Sequence, residues 1–297
     1  MTVSRIAVPI RVFGHPRGIF VLFLVEMWER FSYYGMRALL IFYLSDHFMF
    51  GDARSTQLYG AYTSLVYASA VVGGMLADRL FGNWRSVLSG AVLIMTGHAL
   101  LAVEGQFDPV SGVTQQAFFI ALALIVTGTG LFKPNSTTLV GRLYPTDDPR
   151  RTTGFYIFYV GINVGAVLAA LICGWLGQTY GWSFGFGAAG VGMGLGLLLL
   201  ITFRSDLRPF AGDGPRPQYS AWIAVPLLIA AAWLLVQSPV LTGWMLVAGL
   251  VSALAFIANF AATEANAAQK RHISAALILI VAASLFCSLL DEAGSAL

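Results

Sequence analysis

Residues 19–44 read IFVLFLVEMWERFSYYGMRALLIFYL, an apolar run interrupted at its centre by Glu26, Glu29, Arg30 and Arg37. Its length suits a bilayer crossing, which takes roughly 20 helical residues. Wound at about 100° per residue, Glu26, Arg30, Tyr33 and Arg37 fall within about 60° of one another, with Glu29 and Tyr34 flanking that stripe on opposite sides. An ionised residue at mid-bilayer costs about 2.5–3.5 kcal/mol, so four facing lipid would cost on the order of 10 kcal/mol. The stripe must therefore face a protein interior or a water-filled cavity, its charges paired with one another or with a ligand. Buried ion pairs stabilise poorly compared with apolar packing. Four charges and two tyrosines on one stripe thus point to function rather than to helix pinning. Nor does the segment read as a cleavable signal, whose apolar core is about 7–15 residues long and uncharged.

The chain around it has the composition of a membrane protein. Of its 297 residues 58% are hydrophobic and 10% charged, and its mean hydropathy is +0.76. A soluble domain carries about 25% charged residues, so this chain cannot cover a water-facing surface. Its 32 glycines suit membrane helices, where small residues let backbones approach. Both cysteines, Cys173 and Cys287, lie inside apolar stretches, which argues against a disulfide framework or a zinc site.

Further apolar runs lie near 57–80, 87–103, 117–140, 153–177 and 183–203, a pair near 220–237 and 241–262, and a last one begins near 273. They predict an all-α polytopic membrane protein: a six-helix bundle over 1–204, a linker over 205–218, two additional membrane helices over 219–268 and the start of a further bundle over 269–297. Pro226 could kink the first of the pair. With the N-terminus in the cytoplasm and the spans alternating, Arg5, Arg11, Arg17, Arg79, Arg85, Arg142, Arg150, Arg151, Arg204, Arg208, Arg216, Lys270 and Arg271 all fall inside, while Arg54 alone falls outside. This obeys the positive-inside rule and places the protein in the cell (inner) membrane as a multi-pass chain with a cytoplasmic N-terminus. It also requires both members of the 220–262 pair to cross.

Other polar residues sit within the spans. Lys133, in Gly128-Thr-Gly-Leu-Phe-Lys-Pro-Asn135, could snorkel to an interface. Lying beside Pro134, it is expected instead to point into the cavity that the stripe faces. Asn163, in Gly-Ile-Asn-Val-Gly, needs a partner if buried, either a ligand or a neighbouring helix. Tyr67 and His98 are weak signals by themselves, and His98 is set aside as a packing residue. Asp291 and Glu292 end the last apolar run, and Glu292 could balance the cations Arg37 and Lys133. The Gly185-Phe-Gly-Ala-Ala-Gly190 pattern lies in a span and not at a strand-to-helix turn, so it reads as a close helix contact. No nucleophile–base set or metal-ligand spacing suggests an enzyme, and nothing suggests a nucleic-acid partner.

Four stretches resemble one family. Glu26-Met-Trp-Glu-Arg-Phe-Ser-Tyr-Tyr-Gly35 resembles the ExxER-F-x-YYG signature of the proton-dependent oligopeptide transporters, a branch of the major facilitator superfamily. Gly74-xxx-Asp78-Arg79-xx-Gly82-xx-Arg85 resembles that superfamily's loop between its second and third helices, and Phe158-Tyr-Val-Gly-Ile-Asn163-Val-Gly165 resembles the branch's second signature. The segment around Lys133 looks like its fourth-helix lysine motif, and the pair at 220–262 resembles the two extra helices of prokaryotic members. The resemblance implies a major facilitator fold. It implies that Glu26, Glu29 and Arg30 couple proton binding to conformation, that Arg37 and Lys133 hold a peptide's C-terminal carboxylate, and that Tyr33, Tyr34, Tyr67 and Asn163 contact its backbone. Glu292 resembles the seventh-helix glutamate that meets the peptide's amino group or a first-helix arginine, although Ala293 departs from the glutamine usual after it.

The expected function is thus proton-coupled import of di- and tripeptides by alternating access, with protons as the coupling ion, no cofactor, short peptides and the lipid bilayer as partners, and a monomer as the working form of the full-length protein. Because the sequence stops inside or just after its last apolar run, it reads as covering about half of the two-bundle architecture. The alternatives are a truncated membrane protein that does not transport, and a transporter of the same branch for another small solute such as nitrate.

Overall fold

In the computed structural model, residues 11–109, 111–212, 219–263, 266 and 269–282 are described. After a two-residue antiparallel hairpin, Arg11–Val12 with His15–Pro16, they form α1 (Arg17–Phe42), α2 (Asp52–Leu76), α3 (Asn83–Glu104), α4 (Gly112–Arg142), α5 (Arg151–Tyr180), α6 (Trp182–Thr202), the single turn α7 (Arg204–Leu207), α8 (Tyr219–Gln237) and α9 (Pro239–Thr263). Residues 269–282 are helical, while 283–297, which hold Cys287, Asp291 and Glu292, lie outside the described residues.

Among the described residues, six helical segments are long and apolar enough to cross a membrane: Asp52–Phe81, Asn83–Glu104, Gly112–Arg142, Arg151–Tyr180, Trp182–Thr202 and Pro239–Thr263. The first helix is long enough at about 39 Å for its 26 residues, but its charged stripe spoils its apolarity. Each helix starts or ends a few residues beyond the sequence estimate, because helical hydrogen bonding continues through polar residues past the apolar run. The first two helices end in five-residue π turns, Tyr43–His47 and Ala77–Phe81. The second π turn carries Asp78 and Arg79 and closes on Gly82, whose φ of +72° is open to glycine at little steric cost. That conformation accounts for a glycine at this place in the loop motif.

The sequence reading treats 205–218 as linker, but its first part is ordered against the bundle. After the turn of α7 comes a 3₁₀ turn, Arg208–Phe210, and Leu207 and Ala211 are buried. The hairpin, the α4–α5 loop and this turn meet at one end of the bundle: Arg17 pairs with Asp206 at 3.7 Å, Arg150 donates to the Gly14 carbonyl at 2.5 Å, and Arg142 donates to the Ala211 carbonyl. Most of the arginines assigned to one side of the membrane are therefore gathered at one end of the fold. Outside the spans, Arg150 binds Asp148 through its side chain and its backbone N–H and holds that carboxyl down at about 2.

Within the bundle α1 packs between α5 and α6, α3 lies against α4 and α6, and α2 and α8 lie against α4. Two apolar clusters fill the interior. One holds Ile19, Leu22, Val87, Ile94, Phe132 and Leu200, and the other holds Tyr33, Leu40, Tyr43, Tyr62, Phe118 and Phe186. Along α1 the charged residues 26–30 fall between them, so a polar layer is sealed by an apolar layer at each end. The chain divides into two compact units, Met1–Thr242 and Gly243–Leu297. α8 belongs to the first unit and most of α9 to the second.

Candidate functional site

The centre of α1 holds the site. Glu26 and Glu29 are fully buried and Arg30 is 7% exposed. The Arg30 guanidinium grips Glu29 with two hydrogen bonds, Nε to Oε2 at 2.5 Å and Nη2 to Oε1 at 2.6 Å, and its Nε stands 3.6 Å from Glu26 Oε1. A bidentate fork of this kind is the strongest geometry available to an arginine–carboxylate pair. Lys133 reaches across from α4 and pairs with Glu26 Oε1, while Ser136, one turn on, donates to Glu26 Oε2 at 3.4 Å. Two carboxylates and two cations cancel, which is how such a group can be held in a low-dielectric interior.

Close helix contact makes this possible. A Cβ on Gly165 of α5 would lie 2.3 Å from the Met27 carbonyl oxygen and 3.1 Å from Arg30 Cβ. Glycine at that position of the second signature lets α5 reach the backbone of α1 beside the charged set. On the same helix Phe158 places its ring 5.6 Å from Lys133 Nζ. The Asn135 of the lysine motif does different work: its Oδ1 accepts from Asn83 Nδ2 at 2.9 Å and ties α3 to α4.

The remaining residues of the sequence reading are placed unevenly. Tyr33 and Tyr34 join the set, the Arg30 guanidinium standing 4.8 Å and 6.0 Å from their ring centroids, but Tyr33 is 2% exposed and its hydroxyl has no hydrogen-bond partner among the described residues. Arg37 stands apart, two turns along α1, donating from Nε to the Tyr59 hydroxyl at 2.6 Å. Lys133 and Arg37 therefore have different partners, and Lys133 is occupied by Glu26. Tyr67 is 60% exposed, and Asn163 is exposed with its amide turned back to the Tyr159 carbonyl of its own helix at 3.0 Å. Both side chains are exposed, Tyr67 on α2 and Asn163 on α5. Glu292 is outside the described residues.

Sequence reasoning missed Ser136 and Tyr59. Ser136 stands three residues after Lys133 on one helix face, a spacing that could have revealed it. Tyr59 has no sequence signal, since only the packing of α2 beside α1 brings it to Arg37.

Comparison with known proteins places the chain among transporters of one family. A family model described as the POT family matches residues 84–297. The uncharacterized transporter YclF of Bacillus subtilis (strain 168) is 40% identical over 302 residues, covering 96% of this chain and 60% of that protein. A di-/tripeptide transporter of Lactococcus lactis subsp. cremoris is 46% identical over 180 residues, or 58% of this chain and 35% of that one. The crystal structure of a peptide transporter POT in complex with sulfate superposes with a TM-score of 0.75 at 38% identity, covering 94% of this chain and 60% of that chain. The chain thus spans 60% of the length of YclF and of this solved structure.

Proposed function

The chain belongs to the POT family, and on that footing we propose that it works as a proton-coupled importer of di- and tripeptides, by alternating access, in the cell membrane with its N-terminus in the cytoplasm. The observation that carries this reading is the Lys133–Glu26 pair. Glu26 is sealed from solvent, whereas the Lys133 side chain is 28% exposed and can be reached by a ligand. A peptide carboxylate that drew Lys133 away would leave Glu26 with only a distant share of Arg30, which already grips Glu29. A buried carboxylate that loses its cation takes up a proton, because burial penalises the charged form. Peptide carboxylate and proton would then be bound together, which is the requirement for symport.

A zwitterionic peptide also needs separated centres of opposite charge and amide-level hydrogen bonds that ignore its side chains. Arg37 beside Tyr59, and the exposed Tyr67 and Asn163, are the groups we assign to the peptide's carboxylate and backbone. Glu26, Glu29 and Arg30 are the groups we assign to coupling proton binding to conformation, the proton residing on a carboxylate and Arg30 acting as its counter-charge. The name of the Lactococcus relative supports the substrate class.

The test is uptake of labelled dialanine into proteoliposomes under an imposed inward proton gradient, comparing this chain with a version extended to the full length of its relatives. Uphill uptake by the extended version, abolished by Glu26→Gln and by Glu29→Gln, is the expected result. Undiminished accumulation in both variants would overturn the coupling assignment. Uptake of nitrate but not of dialanine would overturn the substrate.

A further inference from the structure

A second buried carboxylate lies far from this set. Glu104 is the last residue of α3 and is 2% exposed. Its Oε2 accepts a hydrogen bond from the Tyr43 hydroxyl at 3.0 Å, and its Oε1 is buried with no hydrogen-bond partner among the described residues. Among the described residues no cation pairs with it. From Glu29 to Tyr43 is 14 residues along α1, about 21 Å of helix, so this carboxylate is independent of the ion-pair layer. It sits at the end of the bundle opposite the arginine-bearing loops.

The surroundings are aromatic. The Tyr43 ring stacks on His47 at 4.4 Å and meets Phe48, Phe118, Trp182 and Phe186 at 5.0–5.7 Å. Ser183 Oγ and the Tyr43 hydroxyl approach Gly105, 3.1 Å and 3.2 Å from where its Cβ would be. The charged and titratable groups at this end do not compensate Glu104. Asp46, Asp52 and Asp108 are exposed acids, Tyr180 is exposed at the end of α5, and Arg54 lies over Phe50 at 3.8 Å. His47 Nε2 is itself buried with no hydrogen-bond partner among the described residues. The groups that α4 and α6 bring against Tyr43 and Gly105 are Phe118, Trp182, Ser183 and Phe186, none of them charged.

An ionised carboxylate with one hydrogen bond, no cation and an orphaned oxygen is costly to bury, whereas the carboxylic acid is not. A metal ion would need several ligands, and the described residues offer no cluster of three or more. A proton needs no room. We propose that Glu104 is a second proton-binding site, occupied while Tyr43, Trp182 and Phe186 pack over it and emptied when that end of the bundle opens to water. Gln106, Phe107 and Asp108, exposed just beyond it, give the proton a short path from solvent. The step is a simple protonation of Oε1, hydronium giving the proton on uptake and water accepting it on release. The inference deepens the proton-coupled reading above, but its geometry does not depend on peptide transport.

Infrared difference spectroscopy of the reconstituted full chain, titrated between about pH 5 and pH 9, tests it through the C=O stretch of protonated carboxyls. The wild type is expected to show a band that Glu104→Gln removes and that Glu29→Gln leaves in place. Tyr43→Phe removes the hydrogen bond that favours the ionised form, so the band should persist to higher pH. Identical spectra for wild type and Glu104→Gln would overturn the site. Should Glu104→Gln fail to fold, a wild-type band unmoved by Tyr43→Phe would overturn it equally. Absence of dialanine uptake with the Glu104 band present would reject the transport reading and leave this site standing.

Discussion

Two helices of similar length, α4 and α9, are used in opposite ways. Over their most apolar windows α4 has a mean hydropathy of 1.7 and is 72% buried, whereas α9 has 2.2 and is 6% buried. The more apolar helix is the more exposed one, the reverse of the rule for soluble proteins. In a bilayer, lipid satisfies apolar side chains as well as a protein neighbour does, so helix association follows small residues and polar groups instead. On α4 these are Gly128, Thr129, Gly130, Lys133, Asn135 and Ser136, and most of them are buried. On α9 Thr242 donates back to the Leu235 carbonyl near the end of α8, and Thr263 donates to the Asn259 carbonyl of its own helix.

That difference can be broken by experiment. The largest effect is expected from Lys133→Met, which strips Glu26 of its nearest cation. Breaking a buried pair from one side costs about 3 kcal/mol or more, read as a fall in thermal stability in detergent, while Asn259→Leu on α9 should leave stability nearly unchanged. Next is Gly128→Ala. Its Cβ would stand 2.8 Å from the Gly90 carbonyl oxygen and 2.9 Å from Ile94 N, both backbone atoms that cannot turn aside. Overpacking of this kind costs about 1–3 kcal/mol. The matched change Gly249→Ala on α9 meets nothing within 4 Å and should be neutral or gain up to about 1 kcal/mol from helix propensity. Equal losses from the two glycines would dissolve the distinction between the helices.

Asn135→Leu should cost less, about 0.6–1.7 kcal/mol, the range for interhelical hydrogen bonds in membranes. It leaves the buried Asn83 amide without its acceptor. The same unfolding assay, compared with Asn83→Leu and the double variant, isolates the pair. The smallest effect is expected outside the membrane, at Asp148. Its carboxyl is held down at about 2 by hydrogen bonds from Arg150, so its contribution is present above its ordinary range and is lost as pH falls from about 4 toward 2. Asp148→Asn should therefore lower the melting temperature slightly at neutral pH and not at all near pH 2. An exposed pair has little more to offer.

Much of the site was legible in the residues themselves. The spacing of Glu26, Glu29 and Arg30 put three charges on neighbouring parts of one helix, and the cost of ionised groups in lipid forced them inward. Lys133 was legible for the same reason, but its partner was not. A lysine in a span declares that it must meet something, and whether that is a ligand or Glu26 depends on which face α4 turns to α1. Asn163 was legible as a polar residue within a span, but that its amide is exposed and bonds back to its own helix was not. Glu104 gave no warning, since an acid at the end of an apolar run ordinarily meets water. Only the folding of Tyr43 onto it, with Trp182 and Phe186 packed on the Tyr43 ring, accompanies its burial.

The sequence by itself determined that the chain lives in a membrane, how many helices recur, which helix carries the charge, and which family's signatures it bears. Those properties follow from transfer free energies and helical periodicity, and both act residue by residue along the chain. The tertiary structure alone decided which charges pair, which tyrosines are sealed, where the linker is ordered, and which of two apolar helices is buried. Those depend on close approach between segments far apart in the chain, and in lipid the hydropathy of a helix carries no information about its neighbour.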